Sequence, residues 1–214
     1  MINGGKEGQT LVDLGVWTRS LPIEEENSDG FLVKRLPDGV FIAVADGLGH
    51  VREAADAAQA AVNYLNMYAG DSMISLLQRC HVYLKKTRGV VMNLAFFNER
   101  ENTLTWAGVG NVEGILLRLD SKAKPQRENI PLRGGVIGIQ LPELNATVTP
   151  VSPGDMLIFA TDGISNSFSD QLTVSGSPQS LANAIGAQFF KGNDDALVLV
   201  AQYRGRARDK SLTS

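Results

Sequence analysis

Two stretches of helical periodicity stand side by side in a chain that otherwise reads as short apolar strands, and this grouping constrains the fold most. The first helix is expected over 51–68, with Val51, Ala55, Ala58, Val62 and Leu65 on one face. That face is rich in alanine, so the helix can approach a sheet closely. The second starts near Asp71-Ser72, a good capping pair, and carries Met73, Leu76, Leu77, Cys80 and Leu84 as its apolar stripe. Strand-like runs precede the pair at 11–17, 31–35 and 40–45, the last two joined by the turn signal Pro37-Asp38-Gly39. More runs follow at 89–97, 103–107, 114–119, 146–151 and 156–160. Ser177 then caps a third helix with Pro178 at its first position, and Leu181, Ala182, Ile185 and Phe189 form its stripe. The run 196–202 is a last, almost wholly apolar strand. Strands and helices are grouped rather than alternating. An α+β fold, with antiparallel sheets covered by helices, is therefore expected over a doubly wound parallel sheet.

Composition narrows the function classes. With 20 basic and 23 acidic residues the net charge is −3, which argues against a general nucleic-acid binder. No apolar run approaches the roughly 18 residues of a membrane span, so no membrane partner is expected. The opening MINGGKEGQT has no apolar signal core, and the single cysteine fits a reducing compartment, so the expectation is a cytoplasmic protein. No linker divides the chain. One domain is expected over 1–203, followed by a polar, basic tail over 204–214.

Aspartates recur at the ends of apolar strands. FIAVA runs into Asp46-Gly47, MLIFAT runs into Asp162-Gly163, Asp194-Asp195 precede ALVLV, and Asp29-Gly30 precedes FLV. Each Asp-Gly taken alone reads as a turn, and Asp38-Gly39 is read as nothing more. Strand ends, however, are where a rigid sheet delivers side chains to a common rim. Carboxylates gathered there repel one another unless a cation intervenes. Hard cations such as Mg²⁺ and Mn²⁺ prefer oxygen ligands. The repeated pattern therefore points to a carboxylate cluster holding one or two hydrated divalent ions.

Taken in chain order, Asn27-Ser28-Asp29-Gly30, VADGLGH at 44–50, AGVGN at 107–111, ATDGIS at 160–165 and NDDALVLV at 193–200 resemble the ordered motifs of the metal-dependent PPM (PP2C-type) serine/threonine phosphatases. The resemblance covers about residues 9–203. It implies a central antiparallel β-sandwich flanked by helices, in four αββα layers, and two bridged divalent cations, Mn²⁺ or Mg²⁺. It implies that Asp46 bridges both ions, that the Gly47 carbonyl binds one, and that Asp162 and Asp194 bind one ion between them. Asp29 matches the acidic N-terminal motif and is expected to act through bound water. Asp195 stands where many members have Asn, and it is expected beside the ligands rather than among them, as are Asn111 and Gly163. The family's Gly-Asp motif reads Gly110-Asn111 here; a neutral amide is a weaker ligand, which argues against a third cation. Arg19 lies in the region of the arginine that grips phosphate in eukaryotic members. The mechanism implied is attack by a metal-activated water, without a phosphoenzyme. His50 either gives a proton to the leaving seryl oxygen or contacts backbone and solvent at the start of a helix.

The short form, with no sensory domain, is similar to the members of the family that serve a bacterial stressosome. That implies phosphorylated STAS-domain proteins as substrates, and a monomer. Two other functions stay open from the residues: a catalytically silent phosphoprotein-binding module on the same fold, and a phosphatase for small metabolites. Cys80 is not followed by the arginine spacing of a cysteine phosphatase and is expected to be a buried core thiol. Arg133-Gly134-Gly135 is expected to be a loop that lines the cleft. Only 50 residues separate Asn111 from Asp162, so a small flap or none is expected beside the site. Lys85, Lys86 and Arg88 are expected to end a helix, where cations favour its dipole, with docking of a partner as the alternative role.

Overall fold

The computed structural model describes residues 10–21, 27–49, 52–172 and 176–205. His50, and the tail beyond Gly205, lie outside the described residues. In chain order the elements are β1 (Val12–Arg19), β2 (Asp29–Leu36), β3 (Gly39–Gly47), α1 (Arg52–Tyr68), α2 (Met73–Tyr83), β4 (Val90–Asn98), β5 (Thr103–Val109), β6 (Glu113–Leu117), β7 (Arg127–Asn129), β8 (Thr147–Pro150), β9 (Met156–Ala160), α3 (Pro178–Phe189) and β10 (Ala196–Tyr203). A short 3₁₀ turn, Leu84–Lys86, follows α2. Among the described residues the strands form two five-stranded sheets, ordered β1-β10-β9-β6-β7 and β2-β3-β4-β5-β8. Every ladder is antiparallel.

Strand alternation builds four layers. Ile42 and Val44 of β3 and Leu197, Leu199 and Ala201 of β10 point between the sheets and make the central core with Trp106, Phe97 and Phe159. Their neighbours Phe41, Ala43 and Ala45 point the other way, under α1 and α2. Val198 and Val200 of β10 point under α3 with Ile158. A strand covered on both faces must be apolar throughout, which is why these runs show no polar alternation. The alanine-rich face of α1 approaches the sheet closely, but it differs from the expected stripe. Ala55, Ala58 and Leu65 are buried, Val62 is only half-buried, and Val51 lies outside the described residues. Ala54, Ala57, Ala61 and Tyr64 are buried as well, because the helix is covered over a wider arc. Ser72 caps α2 by accepting from the Ser75 N–H, and all five residues of the expected α2 stripe are buried.

Two features differ from simple strand counting. The runs at 146–151 and 156–160 are neighbours in sequence, yet β8 pairs with β5 and β9 with β6 and β10, so the chain crosses between sheets at 151–155. Buried Asp155 pins that crossing by accepting from the Ser152 and Leu119 N–H groups and pairing with Arg118. Strand β7 is too short and too polar to register as a strand in the sequence. Between Asn111 and Asp162 there are strands and loops and no helix, so the small flap expected there is a loop. The outer edge at β1 is closed by Gln179 of α3, whose amide accepts from the Val16 N–H at 3.0 Å and donates to the Val16 carbonyl at 2.8 Å. No helix among the described residues is long and apolar enough to cross a membrane.

The two sheets are joined near their far end by Tyr203, which stacks on Phe97 at 5.4 Å and donates its hydroxyl to Asn102. Replacing this ring should test how far inter-sheet packing holds the sandwich. Tyr203→Ala is expected to lower unfolding free energy by about 3–5 kcal/mol, against about 1 kcal/mol for Tyr203→Phe, which loses only the hydroxyl bond. Urea unfolding followed by tryptophan fluorescence reads both.

Candidate active site

Asp29 and Asp46 open β2 and close β3, and the ladder sets them directly opposite each other. Opposed residues on one face of an antiparallel pair have Cβ atoms about 4.5–5.5 Å apart, so two like charges there repel. The second sheet brings its own pair to the same end of the sandwich. Asp162 follows β9 and Asp194 precedes β10, and these strands are hydrogen-bonded neighbours. Gly163 permits their ends to meet, since a Cβ there would lie 1.9 Å from the Asp195 carbonyl oxygen. Gly47 does the same for α1, where a Cβ would lie 2.0 Å from the Ala54 carbonyl oxygen.

Hydrogen bonds lock the two sheets together at this end. Thr161 donates its hydroxyl to Asp29 at 2.8 Å and receives the Leu197 N–H at 2.8 Å, so one side chain ties β2 to both β9 and β10. Asn111 sits in the turn where the chain passes from β5 to β6, and its amide donates to Asp162 at 2.9 Å. A neutral donor at 111 therefore relieves Asp162 instead of adding a further negative charge. Asp195 is buried and turned away from the rim. It accepts from the Leu21 N–H, the Ser28 N–H and the Ser28 hydroxyl, which fastens the segment entering Asp29 onto the start of β10.

The rim encloses a cleft of about 560 Å³ lined by Asp46, Gly47, Asp162, Asp194, Asn111 and the loop residues Leu132, Gly134 and Gly135. The glycine-rich loop thus lines the cleft as its sequence suggests, held by the Gly110 N–H donating to the Arg133 carbonyl at 2.8 Å. Arg19 goes elsewhere: its guanidinium lies over the Phe190 ring, 5.3 Å from the centroid, and does not line the cleft. Three contributors make contacts that the sequence does not single out, although Ser28 and Thr161 lie within the quoted motifs. Thr161 and Ser28 are ordinary strand-end residues until the opposite sheet is in place. Lys191, an exposed loop lysine, donates to the Asp162 carbonyl at 2.6 Å. Cys80 is a buried core thiol, and burial pushes its pKa up to about 12.

Among the described residues no three acidic, His or Cys side chains close into a tight cage. The carboxylates stand instead around an open rim, an arrangement that leaves coordination positions for water. The donor set is all oxygen, which suits a hard divalent cation. Their electrostatics call for one. Burial first, then repulsion from Asp29, Asp162, Asp194 and Asp195, push Asp46 up to about 9. Burial likewise raises Asp29 to about 8, against the opposing hydrogen bond from Thr161. The residues therefore fit a divalent cation, and no hydrogen bond from the described residues satisfies the Asp46 carboxylate in its place.

A pH dependence follows. Both groups hold protons more tightly when folded than when unfolded, so the stability they confer is lost as pH rises through the folded values, about 8 and about 9. Between pH 6 and 9 ordinary carboxylates are already ionised and add no slope. Metal-free protein is expected to show a Tm that falls across this window, a flatter profile in Asp46→Asn, and recovery on adding millimolar Mg²⁺ or Mn²⁺. Differential scanning fluorimetry in chelated buffers checks all three.

Comparison with known proteins agrees with this architecture. A solved structure described as "The bacterial stressosome: a modular system that has been adapted to control secondary messenger signaling" superposes with a TM-score of 0.81 and 28% identity, covering 89% of this chain and 99% of the other. RsbX in complex with magnesium superposes at 0.80 with 21% identity, covering 90% and 95%, a likeness of fold. Phosphoserine phosphatase RsbX of Bacillus subtilis (strain 168) is 26% identical over 175 residues, 81% of this chain and 86% of the relative. The sequence model of Stage II sporulation protein E (SpoIIE) matches residues 37–204, and on that match the chain belongs to the SpoIIE family of PP2C-type phosphatases.

Proposed function

We propose that the chain is a divalent-metal-dependent phosphoserine/phosphothreonine protein phosphatase that acts on phosphorylated STAS-domain proteins of a stressosome in the cytoplasm. The observation that carries this reading is the meeting of Asp46 from one sheet with Asp162 and Asp194 from the other around one open cleft, with Asp29 set against Asp46 across the ladder. The likeness to a phosphoserine phosphatase over most of the chain supports the substrate class. All four aspartates come from one copy of the chain, which supports a monomer as the working unit. The stretch from β1 to β10 acts as one catalytic domain on this reading.

Asp46, Asp162 and Asp194 and the Gly47 carbonyl would hold two cations, Mn²⁺ or Mg²⁺, with Asp29 engaged through water. When bound, the cations supply positive charge to the phosphoryl oxygens and lower the pKa of water to within reach of neutral pH. The chain's own residues do the positioning. Thr161 keeps one oxygen of Asp29 occupied and so aims the other. Asn111 orients Asp162 through its amide, and Lys191 braces the Asp162 backbone. Asp195 holds Ser28, and hence the start of β2, in register with β10. The open cleft favours a phosphorylated side chain on a protein surface over a small metabolite, which would need enclosure to be gripped on all sides.

The test is turnover of p-nitrophenyl phosphate and a phosphoserine peptide with Mn²⁺, with Mg²⁺ and with EDTA. Turnover that requires metal and disappears in Asp46→Asn is expected. A folded protein with no turnover under any metal would overturn the reading in favour of a binding module. Asp195→Ala should act more mildly, lowering activity at limiting metal on the order of 10–100-fold, with partial recovery at high Mn²⁺. A metal titration of kcat/KM separates that effect from loss of the ligands themselves.

A further inference from the structure

One wall of the cleft carries features that holding a phosphate does not require. The 3₁₀ turn Leu84–Lys86, the Arg88-Gly89 step and the loop 131–141 form one continuous piece of surface. Val90 and Ile137 exchange N–H···O bonds of 3.0 and 2.9 Å, and the Gly138 N–H donates to His81 Nδ1 at 3.0 Å. The piece is fastened to the catalytic strand end, because the Leu48 N–H donates to the Gly89 carbonyl at 3.0 Å. The Arg88 side chain runs past Gly49, which lines the cleft; a Cβ at Gly49 would lie 3.6 Å from Arg88 Cγ.

Two kinds of group are exposed on this wall. Leu132, at the cleft itself, is 56% exposed and Ile139 of the same loop is 62% exposed. Single exposed apolar residues are ordinary. Two on one short loop, one of them lining the cleft and the other beside Gly89, are better explained by a partner that covers them. Lys85, Lys86 and Arg88 place three exposed cations within four residues, on a chain whose net charge is −3. Glu53 pairs with Arg88 at 2.5 Å, Glu143 is exposed farther along the loop side, and Lys85 and Lys86 have no ion pair among the described residues. A phosphorylated residue seated at the aspartates carries its chain neighbours across the rim. At about 3.3 Å per residue, neighbours two to four positions away reach about 7–13 Å beyond it.

We propose that Lys85, Lys86, Leu132 and Ile139 form a docking surface for a phosphoprotein segment whose phosphorylated residue is flanked by acidic and apolar side chains. The proposal rests on the phosphatase reading and adds to it the sequence context of the substrate. Complementary charge at such a rim acts on encounter and selection more than on the chemical step.

Two phosphoserine peptides, identical except for three flanking glutamates in one and glutamines in the other, test this by fluorescence-anisotropy binding and by kcat/KM. The glutamate peptide should be favoured about tenfold at low salt, falling towards parity in 0.5 M NaCl. The double substitution Lys85→Glu with Lys86→Glu should erase the preference and leave p-nitrophenyl phosphate turnover unchanged. Ile139→Ser should weaken both peptides through KM alone. Equal handling of the two peptides by the unaltered protein, a preference that survives the double substitution, or an equal loss of p-nitrophenyl phosphate turnover would each overturn the docking surface. Absence of turnover with the binding preference intact would instead overturn the phosphatase reading and leave the surface standing.

Discussion

The structure turns on a repulsion. Two carboxylates set directly across one β-ladder, at Asp29 and Asp46, face two more delivered by the opposite sheet. Nothing in strand pairing favours that arrangement, and like charges opposite each other weaken a sheet. It persists because the surrounding framework over-determines it. The β3 strand that ends in Asp46 is buried along nearly its whole length, and β10, which begins beside Asp194 and Asp195, is almost entirely apolar and covered on both faces. The energy that holds the repelling ends in place is therefore stored in the layers behind them.

The donors around the rim divide the work. Thr161 and Asn111 each satisfy one carboxylate oxygen, and Asp195 gives up the rim to hold Ser28. This leaves Asp46, pushed up to about 9 by burial and by its acidic neighbours and with no compensating hydrogen bond among the described residues, as a group that a cation would relieve. Asn111 belongs to the same logic. At the turn between sheets a carboxylate would face Asp162 as a like charge, whereas the amide bonds to it.

The α+β grouping, the α2 stripe and the aspartate positions were legible in the sequence because each rests on local periodicity or on a motif fixed to a strand end. The capping of α2 by Ser72 and of α3 by Ser177 is local in the same sense. What could not be read is what depends on two sheets meeting. Thr161 matters only because Asp29 lies 132 positions away in sequence and 2.8 Å away in space. The Asp195 link to Ser28 spans 167 positions, and Lys191 is one lysine among many until its contact is seen. The separation of β8 and β9 into different sheets was hidden for a related reason: a short polar connection looks the same whether it turns a hairpin or crosses a sandwich. Arg19 illustrates the converse, since an arginine near the right motif lies over an aromatic ring instead of facing the cleft.

The Gln179 amide at the margin of β1 has a consequence for how the molecule behaves among its own copies. An open strand edge is a template on which another chain can add itself. At Val16 both template positions are already filled by a side chain that mimics a neighbouring backbone. The other outer strands defend themselves differently: β7 and β8 are only three and four residues long, and β2 carries Lys34 and Arg35. A protein built around two sheets thus keeps those sheets finite, and a crowded solution of it has few places from which a fibre could grow.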